Sequence, residues 1–140
     1  MRETCKQAVQ AGIEYIAFGD LFLTDIRKYR EAQLKDSGLQ PIFPVWGMPT
    51  RELAHSLINS GVRAKLTCID CNHLDPKFAG REFDEKLLSD LPPNTDPCGE
   101  NGEFHSFVYA GPMFRHEVPV LVGEIVTRDH FVFADLLLAK

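Results

Sequence analysis

The sequence contains no glycine-rich, lysine-bearing phosphate loop, the element whose backbone N–H groups cradle nucleoside phosphates. It also lacks any apolar run near the roughly 20 residues that a membrane-spanning helix needs. Its first residues, Met-Arg-Glu-Thr-Cys-Lys-Gln, have no apolar signal-peptide core. The expectation is a cytoplasmic protein without membrane contact. The formal net charge is −5, which argues against non-specific binding to nucleic acid or anionic lipid, both of which use clustered cations.

Cysteines are few, four in all, and only Cys68 and Cys71 have the C-x-x-C spacing, with His73 close behind. A structural zinc site needs four ligands, usually from two such pairs, and Cys5 and Cys98 stand alone. The expectation is reduced, structural thiols rather than zinc or redox chemistry. What remains is ordinary for a globular domain: 140 residues, 44% hydrophobic and 25% charged, enough for a single core. No repeat or low-complexity segment interrupts it.

The densest chemistry lies in residues 96–112, Asp-Pro-Cys-Gly-Glu-Asn-Gly-Glu-Phe-His-Ser-Phe-Val-Tyr-Ala-Gly-Pro. Glu100 and Glu103 sit between and after Gly99 and Gly102, with His105 and Ser106 next, and the alternation after Phe104 is that of a strand. Three uses are open to such a loop. Its two carboxylates suit a hard cation such as Mg²⁺. They also suit a general base and an orienting group, with His105 carrying the proton. Finally, they suit a glycine-rich turn in which the carboxylates cap backbone N–H groups.

Along the chain, residues 3–11 read as a helix closed by Gly12, and residues 13–18 as a strand ending at Gly19 and Asp20. In alternating α/β sheets, ligands bind beyond the carboxyl ends of strands, so Asp20 is either a ligand contact or the cap of the following helix. That helix spans residues 22–37, with Glu31 and Lys35 as an i,i+4 pair and Arg27 placed to reach back towards Asp20. Residues 41–46 read as a strand ending in Trp46, which either stacks on a purine or closes the core. Thr50 then opens a helix to Ser60, and residues 62–69 form a strand ending at Asp70, a turn residue or a second crevice carboxylate. Residues 82–91 predict a short helix, 118–126 a strand, and 131–133 its hairpin return. The fold class expected is α/β: a Rossmann-like, mostly parallel sheet with helices on both faces and a small C-terminal β extension.

Gly99-Glu100-Asn101-Gly102-Glu103-Phe104-His105-Ser106-Phe107-Val108, followed by Gly111-Pro112 and Phe114, resembles the C-terminal signature of the diphthine–ammonia ligase family. Phe18-Gly19-Asp20, the helix with Arg27 and Tyr29, Pro44-Val45-Trp46 and Gly80-Arg81 agree in order, so the likeness runs from about Thr4 to Phe114. The family's domains are PP-loop, adenine-nucleotide-alpha-hydrolase-like ATP-binding domains. The chain departs from them at Asn101, where the ligases usually have Gly, and at His105-Ser106, where they have an acidic residue and Thr. It also lacks their Ser-Gly-Gly-Lys-Asp-Ser phosphate loop.

The resemblance implies that residues 1–114 are the C-terminal portion of such a domain and 115–140 its hairpin extension. It implies adenylation of a carboxylate-bearing acceptor by ATP, then amidation by ammonia. Glu100, Glu103 and His105 would be catalytic, with Glu100 and Glu103 also placing Mg²⁺; Gly19, Asp20, Arg27, Gly99 and Gly102 would bind the nucleotide. The alternative is a nucleotide- or substrate-binding module, inactive until a partner brings the missing N-terminal phosphate-loop portion. A sheet edge bared by a lost strand, and the apolar tail after Phe133, would favour a homodimer.

Overall fold

The computed structural model describes residues 2–139. The chain divides into two compact units, Met1–Met48 and Pro49–Lys140. Among the described residues no helix is long and apolar enough to cross a membrane.

The first unit runs from helix α1 (Arg2–Gln10) to strand β1 (Tyr15–Ala17), helix α2 (Thr24–Leu34) and strand β2 (Gln40–Ile42). β1 and β2 pair in parallel, with Ile16 opposite Pro41. The sequence predicts a longer second strand, to Trp46. The ladder instead closes with Phe18 N–H donating to the Ile42 carbonyl, because Pro44 has no N–H to continue it. Cys5, Leu34 and Leu39 form a small core supported by Ala8, Ile16 and Phe18. Arg27 takes Glu31 as its i,i+4 partner at 2.9 Å, in place of the expected Glu31–Lys35 pair.

The second unit begins with helix α3 (Thr50–Asn59) and turns at Gly61 into strand β3 (Arg63–Asp70). After a 3-10 turn at Pro76–Phe78 come helix α4 (Glu85–Asp90), strand β4 (Phe104–Ala110) and the hairpin of β5 (Val120–Arg128) and β6 (Phe131–Leu138). The strand order is β4-β3-β6-β5. Asp84 caps α4, its side chain accepting from Leu87 N–H at 2.7 Å, a role the sequence leaves unassigned. Residues Ala64, Leu66, Ile69, Phe104, Val132 and Ala134 of the sheet share one core with Ala54, Leu87 and Leu88 of the helices. Residues alternating with these point the other way, and Phe107, Phe133 and Leu137 stay exposed.

The α/β class expected from the sequence is what the chain has, with a parallel pair in the first unit. The larger sheet differs from a Rossmann sheet in strand direction: every pairing in it is antiparallel. The physical reason lies in the connections. Helix α4 has 6 residues and rises about 9 Å, whereas the 8-residue β3 spans about 26 Å. The helix covers only part of that length. The loop after it docks at the end of β3, with Asp70 N–H donating to the Glu103 carbonyl and Phe104 lying opposite Ile69, so β4 runs back along β3. β6 returns directly from β5 through a turn with Asp129 at φ 53°, and it lies inside the sheet between β3 and β5.

Candidate functional site

The loop before β4 is built around one buried side chain. Glu103 is 3% exposed, and its carboxylate accepts from Asp96 N–H at 2.8 Å, Asn101 N–H at 3.1 Å and Asn101 Nδ2 at 3.3 Å. Its own carbonyl accepts from Asp70 N–H at 3.0 Å, which ties the loop to the end of β3. Asp96 adds an inner turn, its Oδ1 accepting from Cys98 N–H at 2.7 Å. Of the three uses open to these carboxylates, Glu103 adopts the capping one.

Gly99 and Gly102 serve this loop differently. Gly99 has φ +70°, and a Cβ there would stand 2.8 Å from the Phe104 carbonyl oxygen, so the loop's own packing requires glycine. Gly102 has φ +86° but open space where a Cβ would go. Only at Gly102 does the backbone lie open to a close approach from outside. Between these glycines the loop carries Glu100, half-buried.

His105 follows Phe104 on β4, so alternation turns it to the sheet face opposite the core, where it is exposed and directly across from Cys68. Cys98 donates its thiol to the Thr50 carbonyl at 3.3 Å, and burial, then the Asp96 and Glu100 carboxylates, push it up to about 11. Beside it lies an apolar cavity of about 90 Å³ lined by Leu57, Val62, Phe83 and Phe104. That is well below the several hundred Å³ of ordinary ligand pockets.

As a seat for Mg²⁺ the loop does not fit by itself. Glu103 is surrounded by N–H donors, which repel a cation, and the described residues contain no gathered group of three or more His, Cys, Asp or Glu. Glu100 is the loop's other carboxylate, and nucleotide phosphates and water would have to complete any shell it joined.

In the first unit Asp20 is held by Arg30, not Arg27: Arg30 Nε donates at 2.7 Å and Nη2 at 3.3 Å. The hydrogen bond to Asp20 raises the Arg30 pKa. The N-terminal cap of α2 is Leu23, so Asp20 does not cap it. Arg27 instead lies over Phe43 and Trp46, 4.6 and 4.7 Å from the ring centroids, while Arg30 covers Phe18 at 4.4 Å. Phe18 and Phe43 follow the carboxyl ends of β1 and β2, so arginines and aromatic rings form a shelf where a parallel pair presents its ligand side. Gly19 on this shelf is exposed, with open space around it. Asp70 is a turn residue, its Oδ1 accepting from Asn72 N–H at 2.9 Å.

Two groups escape sequence reasoning. Arg30 lies on the same helix as Arg27, and nothing in the spacing separates a partner of Asp20 from a solvated cation. Glu82 accepts from Tyr109 Oη at 2.5 Å and from Lys65 Nζ at 2.9 Å, linking residues far apart in sequence. Burial, then that bond, push the Tyr109 phenol up to about 12.

This is an α/β chain with a glycine-bounded acidic loop, organised by a buried carboxylate, at the head of a strand. The family profile described as "Diphthamide synthase C-terminal domain" matches residues 49–136. The diphthine–ammonia ligases of Bos taurus and Homo sapiens are each 30% identical over 128 residues, covering 87% of this chain and 48% of the relative. That of Schizosaccharomyces pombe is 27% identical over 118 residues, covering 81% of this chain and 20% of the relative. The chain belongs to the diphthine–ammonia ligase family. It spans about half the length of its mammalian relatives, 48%.

Proposed function

We propose that this chain is the C-terminal portion of an ATP-dependent, amide-forming ligase of the cytoplasm. An acceptor carboxylate attacks the α-phosphorus of ATP and pyrophosphate leaves. Ammonia then attacks the acyl carbon, AMP leaves, and the nitrogen loses one proton. The relatives' name gives the acceptor class, a diphthine-like carboxylate. Family membership supports the reading, and the single observation that carries it is the buried Glu103, which fixes residues 96–101, the loop that also bears Glu100.

In this account Glu103 is a positioning residue. Glu100 orients the ammonia, and His105, an imidazole on the exposed strand face, takes the proton that the new amide sheds. Gly102 admits the nucleotide, and Gly99 keeps the turn that holds Gly102 in place. The first unit, taken by itself, offers Gly19 and the Arg27 shelf, with Asp20 held by Arg30, as a nucleotide-binding surface. Mg²⁺ neutralises phosphate charge when bound with ATP.

A second reading is favoured by one feature, the missing phosphate loop. Phosphate chemistry depends on such positioning, so these residues by themselves would act as a nucleotide- or substrate-binding module, without turnover. Calorimetric titration with Mg-ATP tests the shared premise. Binding by the folded chain that weakens in Glu100→Gln supports it; no binding by a sample with native circular dichroism removes the nucleotide from these residues.

A further inference from the structure

We propose that β5 is an interface strand through which two copies of this chain pair edge to edge, antiparallel about a two-fold axis at Val126. The inference is independent of the ligase reading. β5 is the outer strand of the sheet and pairs only with β6. None of its backbone groups makes a backbone hydrogen bond outside that ladder among the described residues. It is 9 residues long, with Leu121 59% and Ile125 54% exposed, more apolar surface than an unprotected edge ordinarily shows.

Charge decides both the occupant and the register. β5 carries two charged side chains, Glu124 and Arg128, and neither enters an ion pair among the described residues. Both line one shallow depression together with Val126, Phe133 and Asp135, so they share a face of the sheet. Glu124 and Asp135 there bring two carboxylates against the one guanidinium of Arg128, whose nearest aromatic contact is the Phe133 ring at 5.9 Å.

With the axis at Val126, Glu124 stands opposite the partner's Arg128, and Arg128 opposite the partner's Glu124. Ile125 meets the partner's Thr127, and Val126 meets itself. Moving the axis to Ile125 would set Glu124 against Val126 and leave both charges unmatched, while moving it to Glu124 would place two carboxylates face to face. The register shift between Val122 and Ile125 bends the strand on one side, and the turn at Asp129 ends it on the other. Residues 125–128 are thus the regular segment available to a second copy, with Glu124 at the edge of the shift. A two-fold antiparallel contact is self-complementary, as a closed dimer requires.

Sedimentation equilibrium of the full chain, Glu124→Arg, Arg128→Glu and the double reversal tests this, with circular dichroism reporting folding. The parent is expected to dimerise, each single reversal to weaken the dimer at least about tenfold, and the double reversal to restore it. A chain that stays monomeric, a dimer indifferent to the single reversals, or a double reversal that fails to recover would each overturn the proposal.

Discussion

Replacing Glu103 with Ala removes the acceptor for three N–H groups at once. Asp96 N–H at 2.8 Å is the closest, and it is half-buried; Asn101 is exposed, so its N–H at 3.1 Å and its amide at 3.3 Å can turn to water. A hydrogen bond to a charged group contributes about 1.5–3 kcal/mol, and a stranded buried donor costs about as much. The Asp96 contact therefore dominates, and the whole change should destabilise by about 2–4 kcal/mol. Against the usual 5–15 kcal/mol of a small domain, roughly, that is a visible fall in the urea midpoint. Far-UV circular dichroism should follow it, because the one tryptophan, Trp46, lies in the other unit. Amide exchange gives the sharper readout, with Asp96 and Asn101 losing protection. Glu103→Gln should fall between, since its carboxamide keeps one acceptor but turns an NH₂ towards donors. An unchanged midpoint with unchanged exchange at Asp96 and Asn101 would refute the claim that this carboxylate holds the loop.

Gly99→Ala should cost more than Gly102→Ala in denaturant midpoint. Both meet positive φ, worth about 1–2 kcal/mol, but only at Gly99 does the new Cβ also collide with the Phe104 carbonyl; equal losses would remove the packing argument. Tyr109 keeps its proton to about 12 in the fold, against roughly 10 when unfolded, so the stability it adds is complete below about pH 10 and fades as pH climbs towards the folded value. Absorbance at 295 nm should show a late tyrosinate step that Tyr109→Phe abolishes; its survival in the variant would contradict the assignment. Alkylation at pH 8, read by mass spectrometry, should label exposed Cys71 before Cys68 and Cys98, whose thiols burial pushes up; early labelling of Cys98 would contradict its packing. Asp20→Ala should free Arg30 and loosen the aromatic shelf, lowering near-UV ellipticity from Trp46, and no change would separate that ion pair from the shelf.

Local signals in the sequence carry the elements well and their directions poorly. The apolar run 62–69, the glycine at 61 and the proline break at 91–94 mark β3 and the ends of α3 and α4 closely, because propensity and caps act over a few residues. Whether β4 lies parallel or antiparallel to β3 depends instead on which end of β3 the 96–103 loop docks against, a long-range contact that periodicity does not weigh. The loop at 96–103 stands out for its density of carboxylates and glycines, yet nothing in its spacing separates Glu103, turned inward onto three donors, from Glu100 beside it. Asn101 had a visible signal: it stands where the ligases usually have Gly, and its side chain is one of those donors. Arg30 and Glu82 lack even that, since their partners lie 10 and 27 residues away.

The account rests on ligand chemistry taking place at the loop between Gly99 and His105. Titrating the ¹⁵N-labelled chain with Mg-ATP, and recording which backbone amides shift, tests it most directly. The account predicts saturable shifts at Glu100, Asn101, Gly102 and His105 that disappear in Glu103→Ala. Saturable shifts confined to other segments, with these four amides unmoved, would contradict it.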